Sequence, residues 1–177
     1  MKNNIKQLIE YYGFNPAEIR DNKPKTKLPK QVVDDALILY IPTNVDELNM
    51  AIINVGMEDH DPNWKNNKHC LNLNCIDVSN IKMFKGLFKD FKKSIFWQYY
   101  NNVDISLWNV SNGFDFSEMF SGFSSFDCDL SKWDVSEGEK FDKMFKGCKK
   151  FNSNISNWDV TNATTFKEMF RGCEKFN

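Results

Sequence analysis

Two histidines and two cysteines near the middle of the chain are the residues whose types suggest metal chemistry. His60 lies in the acidic stretch 58–61, and His69, Cys70 and Cys75 follow it. Zinc sites use Cys and His ligands at short, repeated spacings. The spacings here are irregular, and Cys75 falls on a predicted strand position. We therefore expect no metal and no cofactor.

Residues for acid–base or nucleophilic catalysis are equally sparse. His60 and His69 are the two histidines of the chain, and both precede the repeats described below. Nothing in the sequence resembles a Ser/His/Asp set or a glycine-rich phosphate loop, the patterns that these chemistries require. We predict that the protein is not an enzyme.

The dominant feature of the sequence is a motif that recurs every 25 residues in the C-terminal half. Tryptophan marks the same position at Trp108, Trp133 and Trp158, and apolar residues and a glycine recur around it at the same interval. A fixed period of about 20–29 residues is typical of solenoids whose units stack side by side. Such arrays usually provide binding surfaces, so the period predicts a binding module.

Residues 128–152 illustrate the local structure expected for one unit. Leu130, Trp133 and Val135 follow the LxxLxL pattern of a leucine-rich-repeat strand. Successive side chains of a strand point to opposite faces, so Trp133 and Val135 face inward together. The pattern predicts a short parallel strand in each unit.

A short helix is predicted to follow that strand. Ser136 stands as a helix N-cap with Glu139 three residues on, which is the spacing of a capping box. Gly147 lies where the helix must end and favours a left-handed backbone. Apolar residues at i, i+3 and i+4 supply the buried stripe: Phe141, Met144 and Phe145. The predicted fold class is thus an α/β repeat, a leucine-rich-repeat-like solenoid.

Residues that alternate with the inward positions are predicted to face outward, and we call them the outer row. They are Asp77, Leu107, Asn109, Lys132, Asp134, Asn157 and Asp159. Neighbouring strands lie about 4.8 Å apart, so Asp134 and Asp159 would bring like charges together. Two interpretations stay open. The aspartates form a site for a basic partner segment or a cation, or each serves its own turn and stays hydrated.

An aromatic insertion separates a degenerate first unit from the three full ones. Val78 and Val110 are 32 residues apart rather than 25, and the extra residues lie within 92–102. Four aromatic side chains crowd this segment: Phe96, Trp97, Tyr99 and Tyr100. Insertions in solenoids are extruded as loops. This one is either a binding hot spot or a flap that covers the side of the stack.

The last unit reaches Asn177 without a polar capping repeat, so its layer is expected to have an open side. Its large apolar residues are Trp158, Phe166, Phe170 and Phe176. Each aromatic side chain represents about 150–250 Å², and soluble monomers rarely leave such a patch unused. We expect this layer to contact a second copy in a homodimer, a partner protein or the N-terminal segment.

The charge of the chain indicates which classes of partner to expect, and its cysteines bear on its cellular location. The net charge is −1, with +2 in residues 1–102 and −3 in residues 103–177, which argues against nucleic acid as a partner. Cys148 and Cys173 share one repeat position and are expected to be buried, reduced thiols. With no signal peptide, lipobox or membrane span apparent, we predict a cytoplasmic location, with an extracellular one as the alternative.

Composition shifts divide the chain into three parts. These are a helical segment and basic linker at 1–35, a cap of strand and helix at 36–69, and the repeats at 70–177. Within the cap, 36–41 is a short apolar run suited to a strand. Thr43 is predicted to cap the helix, with Glu47 four residues on.

The repeats resemble the BspA-like leucine-rich repeat surface proteins, also described as the mycoplasma lipoprotein repeat. Residues 126–136 and 151–162 match its unit, which is close to F-N-x-D-I-S-x-W-D-V-S-N-V. The resemblance covers about residues 38–177, and Phe replaces the common Met of the family at 116, 141 and 166. It implies a solenoid that binds macromolecules in bacteria and some of their mobile elements.

From the residues and the resemblance together we predict a protein-binding module. The leading hypothesis is an intracellular protein, bacterial or from a mobile element, that binds or inhibits one protein target. The alternative is a surface or adhesion module of a secreted bacterial repeat protein. Fold resemblance does not identify the target.

Overall fold

The computed structural model describes residues 31–33, 36–38, 41–58, 69–89 and 100–177. Near the N-terminus, two short strands pair antiparallel: β1 (Gln31–Val33) and β2 (Ala36–Ile38), with Val32 opposite Leu37. β2 begins where the apolar run predicts a strand. β1 lies in the stretch predicted as a linker, so the hairpin crosses the predicted boundary at residue 35.

Helix α1 (Val45–Glu58) begins one residue later than the prediction for Thr43 requires. Asn44 is the N-cap, since its Oδ1 accepts the backbone N–H of Glu47 at 2.9 Å. The Glu47 carboxylate in turn accepts the N–H and the hydroxyl of Thr43 at 2.8 and 2.9 Å. Thr43 is therefore held by the capping carboxylate, and the cap itself is corrected to Asn44.

One face of α1 contributes to the main core. Leu48, Ala51, Ile52 and Val55 are buried at the i, i+3, i+4, i+7 spacing of an amphipathic helix. They belong to the same apolar cluster as the buried residues of the repeats. The helix therefore packs with the repeats in a single core.

Strands β3 (His69–Asn72) and β4 (Tyr100–Asp104) pair in parallel and join the first unit to the second. Leu71 lies opposite Val103, and both side chains are fully buried. The strand expected at 73–78 is not formed, because pairing occurs just before it and the chain then turns at residues 74–75.

Successive units lie one upon the next, and each unit is called a layer here. Parallel bridges join residues at the same repeat position: Met83 to Asp115, Asp115 to Lys140, and Lys140 to Thr165. Each of the three repeat tryptophans (Trp108, Trp133 and Trp158) also donates a hydrogen bond backward, to the preceding layer. The indole N–H of Trp133 donates to the carbonyl of Ile105 at 3.1 Å, in the layer before it.

The strand and helix expected within each full unit are replaced by consecutive turns across the described residues 105–177. Lys143 has φ 55°, a left-handed conformation that ends an α-helix before one full turn. Its N–H donates to the carbonyl of Lys167 in the next layer at 2.8 Å, so it is not available for a helical bond. Gly147 is left-handed as predicted, with φ 75°.

Ser136 does not cap a helix either. Its N–H and its hydroxyl both donate to Asp134 Oδ1, at 3.0 and 2.7 Å, which closes a turn two residues long. The capping box with Glu139 is therefore not formed. Short Asp and Ser side chains satisfy the local backbone without a helix.

The core consists of aromatic columns that run through the layers. In one column, Phe84, Phe116, Phe141 and Phe166 stack with centroids 5.4, 5.4 and 5.5 Å apart. A second column stacks at 5.5–5.7 Å and contains Phe88, Phe120, Phe145 and Phe170. Offset aromatic pairs contribute about 0.5–1.5 kcal/mol each beyond their burial. These columns hold successive layers in one register.

Candidate functional site

The outer row lies on the surface for most of its length. Leu107, Lys132 and Asn157 occupy one repeat position, and all three are exposed. Leu107 is the most exposed large apolar side chain described, at 62%. The second position is exposed at Asn109, Asp134 and Asp159. Asp77, in the first unit, is half-buried.

Each acidic residue of the outer row also closes a turn. Asp134 accepts two hydrogen bonds from Ser136, as described above, and Asp159 accepts the N–H of Thr161 at 3.0 Å. Asp77 accepts the N–H of Ser79 at 2.9 Å. Each aspartate therefore closes its own turn, as the second of the two interpretations above expects. The side chains of Asp134 and Asp159 nevertheless stay exposed.

Hydrogen bonding outweighs like-charge repulsion at these aspartates. The Ser136 hydroxyl, then its N–H, lowers the pKa of Asp134, while the nearby Asp159 carboxylate opposes that change. The Thr161 hydroxyl and N–H likewise lower the pKa of Asp159. Both groups are therefore ionised at neutral pH, and the outer row carries negative charge beside Lys132.

The described residues do not assemble a metal site. Within those ranges, no three His, Cys, Asp or Glu side chains converge as a metal ion would require. Cys70 is exposed and Cys75 is half-buried. His69 begins β3, and His60 lies outside the described residues.

The buried thiols have structural environments. Cys148 is fully buried, and its Sγ donates to the carbonyl of Phe120 at 3.1 Å. Cys173 is half-buried rather than buried as predicted, and its Sγ repeats this contact with the carbonyl of Phe145 at 3.0 Å. Burial raises the pKa of both thiols, and it raises the pKa of Cys128 to about 12. Protonated thiols of this kind are poor nucleophiles.

One residue of the aromatic insertion is corrected. Tyr100 is the first residue of β4 and is only 9% exposed, so it belongs to the core and not to an extruded loop. Strand pairing with His69 draws it inward. Phe96, Trp97 and Tyr99 lie outside the described residues.

In the last layer, residues 153–177, the four aromatic residues predicted to form the open side differ in exposure. Phe166 is 44% exposed, and Phe170 and Phe176 are half-buried. Trp158 is buried, because its indole stacks on that of Trp133 with ring centroids 6.5 Å apart. Its indole N–H also donates to the carbonyl of Leu130 at 3.1 Å. Trp158 is therefore not part of the open surface.

Sequence reasoning missed two features of this end. Val160 is 38% exposed although Val135, at the same repeat position, is buried. The 25-residue period could have indicated this exposure, because it places Val160 at the position of Val135 in the last layer. The second feature is a row of backbone N–H groups that have no acceptor among the described residues, those of Phe166, Glu168, Phe170 and Gly172. Side-chain patterns in the sequence do not reveal such donors.

Among helices of the described residues, none combines the length and apolar character of a membrane span.

Comparison with known proteins identifies a family. The family described as "Mycoplasma protein of unknown function, DUF285" matches residues 61–177, which include all four repeat units. No curated protein gives a match, and no solved structure does. Because the match covers most of the chain, the protein belongs to the Mycoplasma DUF285 family.

Proposed function

We propose that the chain is a non-enzymatic, leucine-rich-repeat-like solenoid of the BspA-like kind that binds a specific protein target through its outer row. The supporting observation is a contrast between two kinds of repeat position. Inward positions keep their residue type from layer to layer, as Trp108, Trp133 and Trp158 do. The outward position changes from Leu107 to Lys132 to Asn157. A constant frame with variable outer residues suits recognition of one partner.

Leu107 is the best candidate for an anchor in that row. Its side chain is largely exposed, whereas most large apolar side chains of the repeats are buried in the aromatic core. Its backbone N–H donates to Asn74 Oδ1 at 2.9 Å, so its position is fixed before any partner arrives. A preorganised apolar side chain loses little entropy on binding. Flanking polar residues would then supply orientation and specificity.

The target is proposed to be intracellular, and binding is proposed to inhibit it. The thiols support a reducing compartment, because none of the five cysteines, all of which lie in the described residues, forms a disulfide. A rigid row with no catalytic constellation among the described residues acts by occupying its partner's surface.

Site-specific photo-crosslinking tests this proposal. A benzophenone amino acid is placed at position 107, 132 or 157 in cells that make the chain, and at position 150 as an exposed control outside the row. We expect one protein to crosslink from at least two row positions and not from position 150. Labelling from all four positions alike, or from position 150 alone, would refute the outer row as the binding surface.

A matched pair of variants tests the anchor. Leu107→Ser should lower crosslinking from position 132 by about tenfold or more, since burial of a leucine contributes about 1.5–3 kcal/mol. Met83→Ser is the control, because Met83 is 47% exposed but lies outside the row. Equal losses in the two variants would contradict an anchor role for Leu107. Crosslinks formed only with proteins outside the cell would support the surface-module alternative.

A further inference from the structure

The repeats have two faces of opposite charge, although the net charge of the chain is −1. In each layer, one segment carries the outer row, and the segment of turns that follows it lies across the core. Trp133, in a segment of the first kind, packs against Phe116 and Phe120, in one of the second kind, with ring centroids 6.3 Å apart in both pairs. Because the inward side chains of the two kinds of segment meet in the core, their outward side chains face away from each other.

The charged residues of the first kind of segment are mostly acidic, and those of the second kind are mostly basic. Segments 72–80, 104–112, 129–137 and 154–162 hold six carboxylates and one lysine, Lys132. The second kind, called the basic face here, holds five carboxylates and eight cations and comprises segments 82–89, 114–121, 139–146 and 164–171. The cations are Lys82, Lys85, Lys89, Lys140, Lys143, Lys146, Lys167 and Arg171.

Most carboxylates of the basic face are engaged by contacts within or between layers. Asp115 is buried and accepts the N–H of Ser117 at 2.9 Å. Asp142 is half-buried and accepts the N–H of Lys167, in the next layer, at 2.7 Å. Of the five carboxylates, only Glu139 is exposed. The negative charges therefore lie mainly below the surface that the lysines form.

Glu118 illustrates how the cations exceed their partners. Its carboxylate pairs with Lys89, and that contact, followed by the charges of Lys143 and Lys85, lowers the pKa of Glu118. Lys85 and Lys89 belong to the layer before Glu118, and Lys143 belongs to the layer after it. One carboxylate is thus shared among three lysines of two neighbouring layers.

Three further lysines of the basic face form no salt bridge within the described residues. They are Lys82, Lys140 and Lys167, and all three are exposed. Each lies in a different layer, so the unpaired positive charge extends along the stack. A multivalent basic surface of this kind attracts a polyanion.

An exposed apolar side chain lies among these lysines. Met83 is 47% exposed, directly follows Lys82 and precedes Lys85 by two residues. Its backbone pairs with Asp115, which in turn pairs with Lys140, so Met83 heads the column that contains Lys140. Lysines beside a flexible apolar side chain suit a lipid surface, which offers anionic headgroups and an apolar layer beneath them. Nucleic acid supplies phosphates but no apolar layer for Met83.

We propose that the basic face binds a membrane surface that contains anionic phospholipids, with the lysines on the headgroups and Met83 at the boundary with the acyl chains. Binding in this orientation directs the acidic outer row away from the bilayer. Repulsion between the outer row and the headgroups favours the same orientation. The outer row then stays accessible to a protein.

Vesicle co-sedimentation of the full chain tests the proposal. The vesicles contain either phosphatidylcholine alone or phosphatidylcholine mixed with phosphatidylserine. We expect binding to the mixed vesicles to be about tenfold tighter or more, and to weaken as salt is added. Failure to bind the mixed vesicles, or equal binding to both kinds, would overturn the proposal.

A matched pair of substitutions locates the binding surface. Lys140→Gln removes one charge from the basic face and should weaken binding to mixed vesicles by about fivefold. Lys132→Gln removes the same charge from the outer row and should change binding by less than about twofold. Both side chains are exposed, so thermal melts should match that of the unmodified chain. Equal losses in the two variants would contradict binding through the basic face.

Met83→Ser distinguishes lipid from another polyanion. It should weaken binding to the mixed vesicles by about threefold or more, because an apolar contact with the acyl boundary is lost. Binding of single-stranded RNA provides the comparison. Unchanged vesicle binding by Met83→Ser would overturn the assignment to lipid. The same holds if the unmodified chain binds RNA more tightly than mixed vesicles of equal phosphate content.

Discussion

The layers formed by residues 128–152 and 153–177 carry nearly the same apolar side chains but differ in burial. Phe141 is fully buried, whereas Phe166 at the same position is 44% exposed. Trp133 and Trp158, in contrast, are both buried. The last layer keeps its backward contacts, which are those with the preceding layer. It lacks forward contacts, which in the layer 128–152 are made with the layer that follows. Stability in this chain therefore resides between layers more than within them.

The largest expected effect is the loss of an inner aromatic ring. Phe141→Ala should lower the free energy of unfolding by about 3–5 kcal/mol, because it leaves a cavity between stacked rings. Phe166→Ala should cost about half of that or less, since one face of its ring is already solvated. Urea denaturation of both variants measures the difference. Equal losses would mean that the forward contacts of Phe141 contribute nothing.

The second prediction concerns a glycine that an inner ring covers. A Cβ on Gly138 would lie 2.4 Å from Cζ of Phe141 and 2.8 Å from the carbonyl oxygen of Val135. Gly138→Ala should therefore destabilise the protein by about 1–3 kcal/mol through overpacking. Ala163 occupies the same position in the last layer, so Ala163→Gly is the matched control. Thermal melts of the two should differ clearly, and a neutral Gly138→Ala would show that the ring can move.

A smaller, stabilising effect is expected from completing a backward contact. The side-chain amides of Asn112 and Asn162 each donate to a serine carbonyl in the preceding layer, Ser79 and Ser136, at 2.7 Å. Glu137 stands at that position in the layer between them and lacks the donor. Glu137→Asn should raise the free energy of unfolding by about 0.5–1.5 kcal/mol through one added hydrogen bond.

The reverse swap provides its control. Asn162→Glu should lose a similar amount although it lies in the last layer, because the bond points backward. Chemical denaturation of both variants tests this. A much smaller loss in the last layer would break the distinction between forward and backward contacts.

The smallest effect is a pH dependence that both layers share. Hydrogen bonds from Ser136 depress the pKa of Asp134 below its ordinary value of 3.8 in the folded state. The stability that this carboxylate contributes is thus present above about pH 4 and is lost as pH falls through the lower folded pKa. Asp134→Asn should flatten the pH dependence of the melting temperature below pH 4, yet keep the turn as Asn109 does. An unchanged acid limb would contradict this role.

The repeat positions were predictable from the sequence because burial follows the 25-residue period directly. Trp133, Phe141 and Phe145 are buried where the motif places them, and Leu107 and Lys132 are exposed. An apolar residue in a recurring register has one consistent environment, whichever local backbone carries it. The inward and outward positions therefore did not depend on the secondary structure assumed.

The local backbone was not predictable in the same way. The i, i+3, i+4 spacing of Phe141, Met144 and Phe145 fits a helix and a series of tight turns equally well. The choice depends on whether N–H groups donate within a unit or to the next one, and a single unit does not contain that information. A non-glycine residue in left-handed conformation, such as Lys143, is also invisible to residue type.

The outer row illustrates the limit for function. Its residues could be placed on the surface by alternation, yet the turn role of Asp134 became clear only from the contact with Ser136. Solenoid architecture and partner binding stay predictions. The open side of the last layer was predicted from its aromatic residues, but its backbone N–H donors were not, because every residue type present there carries the same backbone N–H group.

The most direct test of the layered account is amide hydrogen exchange on the unmodified chain. The N–H groups of Phe141, Lys143, Phe145 and Gly147 bond forward, and those of Phe166, Glu168, Phe170 and Gly172 have no acceptor among the described residues. The account predicts exchange about a hundredfold slower or more at the first four amides, with opening energies near that of global unfolding. Similar rates at the two sets would contradict it, because these forward hydrogen bonds would then not join the two layers.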